Sequence, residues 1–287
     1  MSDNFSGEVP NEVYQEKEAN INQINMNEIV GTHDILFVCL DTLRYDVAKE
    51  AETKNETPYI NQYGSWEKCY APGNFTYPSH HAMFAGFLPS KQVNKCMNKE
   101  EMLFFPKNIG LGSKSPKNSF AFEGATFIEG LAKVGYETIC IGGVSFFNKH
   151  GDIGKVFPSM FQKSYWNPSF ACGVKESPNN QIQWAIKKIN EVDQEKRIMM
   201  YINIDAIHYP NYFYLDGETK DSTKTHKAAL VYVDKLLPQI FDTFKSRNKT
   251  FVILCSDHGS CYGEDGYVFH GFNHEIVNTV PYKHFVL

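Results

Sequence analysis

The chain has 287 residues, of which 42% are hydrophobic and 14% aromatic, enough apolar material for one large globular domain or two small ones. A formal net charge of −5 with only three arginines offers no basic surface, which excludes nucleic acid as a partner. Seven scattered cysteines without a CxxC pair predict reduced thiols and a cytoplasmic location, and no apolar run is long enough to predict a transmembrane segment.

The first clear hydrophobic pattern follows a polar N-terminal stretch. Residues 1–25 lack hydrophobic periodicity, so we expect a polar tail there and a single folded domain over residues 26–287. Asp34–Leu40 is an apolar run typical of a strand buried on both faces, and Asp41 follows its end. Open α/β sheets build their sites at that end of their strands, yet Asp41 fits a cap of the next helix equally well.

A hydroxyl residue opens the next apolar helix. Residues 76–86, TYPSHHAMFAG, predict a short helix with Thr76 as the N-cap and Pro78 in the first turn. A helix N-terminus attracts anions, and a divalent metal there would lower the pKa of a hydroxyl, so Thr76 is a candidate nucleophile. An ordinary N-cap without chemistry is the alternative interpretation. The polar residues 91–124 predict an irregular insertion that shapes the substrate pocket.

The remainder of the chain alternates between helical and strand patterns. Predicted helices cover residues 127–134, 180–192 and 227–244, the last kinked at Pro238, and predicted strands cover residues 66–70, 136–143, 197–204, 251–255 and 280–287. This alternation predicts an α/β fold with a mostly parallel central sheet sandwiched between helices. Asp205 and the pair Asp257-His258 end two of the strands. The sheet would bring them to the edge that holds Asp41 and Thr76.

Short motifs occur along the chain in a definite order. They are Leu40-Asp41-Thr42-Leu43-Arg44-Tyr45-Asp46, Thr57-Pro58, Thr76-Tyr77-Pro78-Ser79-His80, Gly135-Tyr136-Glu137-Thr138, Ile207-His208-Tyr209-Pro210, Ser256-Asp257-His258-Gly259 and residues 263–271, GEDGYVFHG. In this order they resemble the motifs of the alkaline phosphatase/sulfatase superfamily, from Asp34 to the end of the chain. The last segment looks much like its counterpart in phosphoethanolamine-type transferases. The resemblance implies an alkaline phosphatase-like fold with Thr76 at the nucleophile position.

The departures from the sulfatase motifs indicate which branch of the superfamily the chain resembles. Sulfatases oxidise a cysteine or serine at the nucleophile position to formylglycine, and Thr76 cannot form that aldehyde. Two cations that sulfatases direct at the sulfate group are replaced by His80 and Gly143. Ordinary sulfatase chemistry is therefore disfavoured, and the chain is more similar to the phosphatase and phosphotransferase branches, which use serine or threonine.

The candidate ligands suit a divalent metal. Asp41, Thr76, Asp257 and His258 offer carboxylate, hydroxyl and imidazole groups, a set that suits Zn²⁺ or Mn²⁺. A second ion is the more open question, because Asp205, His208 and His270 could bind one, or the two histidines could contact substrate oxygens directly. Three other histidines, His80, His81 and His274, are candidates for supporting the metal ligands.

These expectations predict a metal-dependent hydrolase of phosphate or related oxyanion esters, acting on a small-molecule phosphoester or sulfoester. Thr76 would be the nucleophile, and His208 and His270 would assist at the transferring oxygens. One alternative is a phosphoethanolamine-type transferase that moves a head group to an acceptor alcohol. The other is a sulfatase-like, metal-binding protein without catalysis. The identity of the substrate and the oligomeric state are not predicted.

Overall fold

The computed structural model describes residues 24–88, 103–104, 120–121 and 124–287. Residues 1–23 of the predicted polar tail and nearly all of the predicted insertion at 91–124 lie outside these residues. The strands are β1 (Asp34–Leu40), β2 (Glu67–Tyr70), β3 (Leu103–Phe104), β4 (Phe120–Ala121), β5 (Glu137–Ile141), β6 (Lys163–Tyr165), β7 (Ile198–Ile204), β8 (Thr250–Cys255), β9 (Cys261–Tyr262), β10 (Val268–Phe269) and β11 (Thr279–Val286). The α-helices are α1 (Met26–Ile29), α2 (Tyr45–Thr53), α3 (Pro58–Asn61), α4 (Thr76–Ala85), α5 (Phe127–Lys133), α6 (Gly151–Gly154), α7 (Ser177–Asn190), α8 (Thr223–Asp234), α9 (Leu237–Arg247) and α10 (Glu275–Asn278).

A seven-stranded sheet forms the centre of the molecule, with the strand order β2-β11-β8-β1-β7-β5-β6. Strand β1 pairs in parallel with both β7 and β8, and β5 pairs in parallel with both β7 and β6. Strand β11 runs antiparallel to its neighbours β8 and β2. The predicted α/β class with a mostly parallel sheet is confirmed.

The two faces of the sheet pack into separate hydrophobic cores. On β1, Leu36, Val38 and Leu40 pack with residues of α2, α3, α7, α8 and α9. The alternate residues Phe37 and Cys39 pack with residues of α4 and α5 on the other face. Because both faces of the strand are covered, the sequence of β1 is continuously apolar instead of alternating.

The same alternation selects the side of the sheet on which the polar strand ends emerge. Tyr201 on β7 and Cys255 on β8 belong to the α4 side, like Cys39 on β1. Successive side chains of a strand point to opposite faces, so residues two positions further along stay on that side. Asp41 and Asp257 are such residues, and both reach the N-terminus of α4.

The prediction of one long helix over residues 227–244 is wrong, because the structure has two helices there. Helix α8 ends at Asp234 and α9 begins at Leu237, with Pro238 in its first turn. Proline lacks the amide that an interior helical position needs, and it fits a first turn, where that amide has no helical partner. Within the described residues, no helix is long and apolar enough to span a membrane.

Candidate active site

Thr76 is the first helical residue of α4 and not its N-cap, so the capping interpretation is wrong. The cap position belongs to Phe75, whose backbone is extended and whose side chain makes no capping hydrogen bond. The Thr76 hydroxyl lies instead 3.5 Å from Oδ2 of Asp41 and 3.3 Å from Nε2 of His258. The side chain is buried, and its hydroxyl contacts these two strand-end side chains instead of capping the helix.

One oxygen of Asp41 is held in place while the other has no partner. Its Oδ2 accepts a 2.9 Å hydrogen bond from the side-chain amide of Asn203. Its Oδ1 is buried and lacks a hydrogen-bond partner among the described residues. Asp41 therefore presents an unused acceptor to the space beside Thr76.

Asp257 repeats this arrangement. Its Oδ1 accepts hydrogen bonds from the backbone amides of Thr42, at 3.2 Å, and His258, at 3.0 Å. Its buried Oδ2 has no hydrogen-bond partner in the described part of the chain and lies 3.5 Å from Nε2 of His258. The Thr42 amide reaches the carboxylate because the Thr42 backbone adopts φ 63°, a conformation that is rare for a β-branched residue.

The orientation of His258 follows from its backbone contact. Nδ1 lies 2.9 Å from the carbonyl oxygen of Gly259, and because a carbonyl only accepts, Nδ1 carries the proton. The lone pair of Nε2 is then directed at Thr76 and the two aspartates. Gly259 is required here, because a Cβ at this position would lie 2.0 Å from the carbonyl oxygen of Ile276.

The described residues fit a divalent cation at this position. Ligand atoms of Asp41, Asp257 and His258 all lie within 4.8 Å of one another, and all three side chains are fully buried. Burial and the neighbouring charge of Asp257 raise the pKa of Asp41 to about 6, and burial raises the pKa of Asp257 to about 7. A positive charge between two buried carboxylates with unpartnered oxygens would stabilise their ionised forms, and the Thr76 hydroxyl lies beside both Asp41 and His258.

Asp205 lies apart from this group. Its Oδ1 accepts a 2.7 Å hydrogen bond from the hydroxyl of Ser177, and burial raises its pKa to about 7. The described residues contain two groups of three potential ligands within 4.8 Å, and neither includes Asp205. A second metal bound by Asp205, His208 and His270 stays a prediction.

His208 and His270 lie beside the cluster. The ring centroid of His270 is 4.3 Å from that of His258 and 5.5 Å from that of His208. Nδ1 of His208 donates to the carbonyl oxygen of Tyr209 at 2.6 Å, which leaves its Nε2 unprotonated in the neutral form. Burial and the two neighbouring histidines lower the pKa of His270 to about 2, so its imidazole is neutral.

His80 supports Thr76 but does not replace the missing cation. Its Nδ1 donates to the carbonyl oxygen of Thr76 at 2.7 Å, and its Nε2 accepts from the hydroxyl of Tyr201. Burial lowers the pKa of His80 to about 3, so the ring is neutral. Cys39, His80 and Asp257 form the second group of potential ligands. With both ring nitrogens engaged, His80 has no lone pair for a metal in that group.

The other two candidate supporting histidines serve local structure. Nδ1 of His81 donates to the carbonyl oxygen of Tyr77 at 2.8 Å, within α4. His274 is the N-cap of α10, where its Nδ1 accepts from the amide of Ile276, and its Nε2 lies 3.1 Å from Asp265. These contacts lie within the α4 backbone and at the start of α10.

Asn203 is the site residue that the sequence analysis did not identify. A Cβ at Gly143 would lie 2.4 Å from the backbone oxygen of Asn203, so a lysine does not fit at position 143 with this backbone. The side chain of Asn203 instead occupies this space and binds Asp41. The available signal was a polar residue within the buried strand β7, since buried polar side chains need partners.

The chain belongs to the sulfatase family, whose model matches residues 33–282. Members of the surrounding alkaline phosphatase superfamily are metal-dependent and act on phosphate or sulfate esters, so the predicted family, the general need for a metal and the ester substrate class are supported. No curated protein matches this chain significantly in sequence.

Solved structures with the same fold include two soluble transferase domains. The C-terminal periplasmic domain of the phosphoethanolamine transferase EptC from Campylobacter jejuni has a TM-score of 0.60 and 19% identity, covering 91% of this chain and 81% of that one. The soluble domain of lipooligosaccharide phosphoethanolamine transferase A from Neisseria meningitidis has a TM-score of 0.59 and 15% identity, covering 89% and 77%.

An alkaline phosphatase superfamily protein from Vibrio parahaemolyticus is also similar, with a TM-score of 0.55 and 19% identity, covering 90% of this chain and 61% of that one. The predicted cytoplasmic location is wrong by these comparisons, because the similar structures from Campylobacter jejuni and Escherichia coli are periplasmic domains. Reduced cysteines, on which that prediction depended, are not specific to one compartment.

Proposed function

We propose that this chain is a metal-dependent hydrolase of phosphate esters, or related oxyanion esters, in which Thr76 is the nucleophile and residues 26–287 are one catalytic domain. The observation that carries the proposal is the position of the Thr76 hydroxyl. It makes no capping bond and lies 3.3 Å from His258 and 3.5 Å from Asp41, next to two carboxylate oxygens without partners.

Asp41, Thr76, Asp257 and His258 would hold the metal, with Zn²⁺ or Mn²⁺ matching the ligand types. A bound divalent cation would lower the pKa of the hydroxyl and neutralise charge on the transferring group. Among the chain's own groups, Asn203 fixes Asp41 through one oxygen. The amides of Thr42 and His258 fix Asp257 in the same way. These contacts aim the remaining ligand atoms at one point.

In the first step, the Thr76 oxygen would attack phosphorus, form a threonine–phosphate bond and break the bond between phosphorus and the alcohol oxygen. The Thr76 hydroxyl gives up its proton as it attacks, and the departing alcohol oxygen takes up one proton, so the step is balanced. In the second step, water would attack the same phosphorus and break the threonine–phosphate bond, and the Thr76 oxygen would take up one proton in return for the one that the water loses. The N–H of neutral His270 can donate to a phosphate oxygen, and the free Nε2 of His208 can accept the proton of the water.

A head-group transferase is the second candidate, and a specific observation favours it. Two of the similar structures are phosphoethanolamine transferases, and residues 263–271 look like the matching segment of such enzymes. In this version an acceptor alcohol replaces water in the second step. Measuring turnover in water alone and again with an excess of a small alcohol separates the two reactions, because the hydrolase turns over without the alcohol, whereas the transferase requires it.

The proposal is tested with nitrophenyl phosphate, bis-nitrophenyl phosphate and nitrophenyl sulfate on the metal-loaded protein. We expect the phosphate esters to react faster than the sulfate, Thr76→Ala to lose essentially all turnover, and Thr76→Ser to keep a substantial part. An acid-quenched reaction should contain phosphorylated Thr76. A Thr76→Ala variant that stays folded and active would remove Thr76 from the mechanism. A metal-loaded protein without turnover on any of these esters would indicate the non-catalytic alternative.

A further inference from the structure

A row of rings connects the candidate active site to the protein surface. His270 contacts His258 at its inner end and His208 further out. The His208 ring lies 4.2 Å from the Tyr209 ring, and the Tyr209 ring lies 4.4 Å from the Phe269 ring, both measured between centroids. The outer members are therefore a phenol ring and a phenyl ring, whereas the inner members are imidazoles.

Phe269 is placed in a way that core packing does not explain. Its side chain is 47% exposed, and its backbone adopts φ 72°, in the left-handed region that is sterically unfavourable for a bulky residue. Such conformations persist where the surrounding structure enforces them, often beside functional sites. An exposed ring in a strained backbone, held against Tyr209, needs a reason other than burial.

The loop that carries this ring is hydrogen-bonded to the segment that leads into α4. The backbone amide of Gly271 donates a 2.8 Å hydrogen bond to the carbonyl oxygen of Asn74, two residues before Thr76. The ring of His270, on the same loop, lies 5.6 Å from the Tyr209 ring, measured between centroids. The loop therefore contacts Tyr209 through both Phe269 and His270. The outer rings are thus carried by a loop that is hydrogen-bonded to the segment before Thr76, and they are joined through His270 to His258, which contacts the Thr76 hydroxyl.

We propose that Tyr209 and Phe269 form an aromatic shelf that binds an apolar organic group of the ester substrate. The proposal rests on the proposed function, because the inner histidines would contact the phosphate oxygens while the shelf contacts the organic part. Aromatic faces and edges bind flat apolar groups by offset or edge-to-face packing. The enzyme would accordingly prefer esters that carry an aryl or similar group to esters of small polar alcohols.

The test measures binding of phenylphosphonate and methylphosphonate to the zinc-loaded protein by titration calorimetry. Both probes present the same phosphoryl oxygens, and neither carries an ester bond. We expect the unmodified protein to bind phenylphosphonate more tightly. In Phe269→Ala, phenylphosphonate should bind roughly three- to tenfold more weakly, the range expected from an aromatic pair, with methylphosphonate unchanged within about twofold.

Tyr267→Ala is the matched control on the same hairpin. Tyr267 is 46% exposed, nearly the same as Phe269, but its ring packs against Phe272 and His274 and not against the shelf. This variant should keep the preference for phenylphosphonate. A second variant, Phe269→Gly, removes the ring and also relieves the backbone, so it should lose the preference without losing thermal stability.

The outcomes separate the shelf from the proposed function. Equal affinity of the unmodified protein for both phosphonates would overturn the shelf alone. An unchanged preference in Phe269→Ala, or an equal loss in Tyr267→Ala, would do the same. Failure of both probes to bind would overturn the proposed function together with the shelf that depends on it.

Discussion

The side-chain amide of Asn203 donates a 2.9 Å hydrogen bond to Oδ2 of Asp41, between the ends of adjacent parallel strands. The carbonyl oxygen of the same side chain accepts a 3.0 Å hydrogen bond from the backbone amide of Val144. The two contacts leave only one orientation for the amide, because its nitrogen must donate and its oxygen must accept. Asn203 therefore sets the direction in which the free oxygen of Asp41 points.

Asn203→Leu should weaken metal binding by roughly 10- to 100-fold, the usual range when a group that orients a ligand is lost. It should also destabilise the protein by about 1–3 kcal/mol, because the Val144 amide loses its partner. Competition with a fluorescent zinc chelator measures the first effect, and urea unfolding of the metal-free protein measures the second.

Asn211→Leu is the control for that experiment. Asn211 is equally buried and donates 2.9 Å hydrogen bonds to the carbonyl oxygen of Ile207 and the hydroxyl of Tyr262, away from the metal ligands. It should cost similar stability and leave metal affinity unchanged. Equal losses of affinity in both variants would show that Asn203 acts only through overall stability.

Gly143→Ala should destabilise the protein by about 1–3 kcal/mol through overpacking. The added methyl group would lie 2.4 Å from the backbone oxygen of Asn203 and 2.9 Å from its side-chain oxygen. Gly130→Ala is the control, because a Cβ there meets nothing within 4 Å and the residue lies in helix α5, where alanine is favoured. Chemical denaturation of both variants measures the difference in the free energy of unfolding. An unchanged free energy of unfolding in Gly143→Ala would contradict the close approach of Gly143 to Asn203.

Asp257→Ala should abolish binding of the metal while the fold persists, because it removes an unpartnered ligand oxygen from the cluster. Elemental analysis of the purified protein measures occupancy. Asp234→Ala is the comparison, since Asp234 is a buried carboxylate that accepts hydrogen bonds from the backbone amides of Tyr59, at 3.3 Å, and Ile60, at 2.7 Å, and belongs to neither group of potential metal ligands among the described residues. Full occupancy in Asp257→Ala would rule out the assigned ligand set.

Lys283, which lies outside the candidate active site, makes a pH-dependent contribution to the free energy of unfolding. Its Nζ donates to the carbonyl oxygen of Gly64 at 2.7 Å and lies 4.2 Å above the Trp66 ring. Burial lowers the pKa of Lys283 from 10.5 to about 8. Between these values the unfolded chain binds a proton that the folded chain lacks, so this lysine favours folding more as the pH rises.

Wild-type protein should consequently gain about 2 kcal/mol of unfolding free energy relative to Lys283→Met between pH 7.5 and pH 9.5. Urea titrations at the two pH values measure this difference. Lys245→Met, a substitution at a half-exposed lysine on α9, should show no such change. A difference independent of pH would mean that Lys283 stays protonated in the folded protein throughout this range.

The sequence was most informative where burial leaves a continuous pattern. The bounds of β1 follow its apolar run, and the residues after β1 and β8 were placed at one edge because parallel strands end together. These patterns do not show in which direction the side chain of a residue at a strand or helix end points. Thr76 suits an N-cap as well as a nucleophile, and only the extended Phe75 excludes the cap. Asp205 ends a strand like Asp41 but turns to Ser177.

Because side chains along β1 alternate between the two faces of the sheet, stability and the reaction can be altered by substitutions on different faces. Substitutions on the side packed against α8 and α9 alter one of the two hydrophobic cores, whereas Asp41 and Thr76 lie on the other side of the sheet, near Cys39 and Tyr77. A more tightly packed α8–α9 layer should therefore raise heat resistance without altering the reaction. Shifting the register of β1 by a single residue should abolish the reaction and also destabilise the fold, because Asp41 would turn into the core packed against α8 and α9.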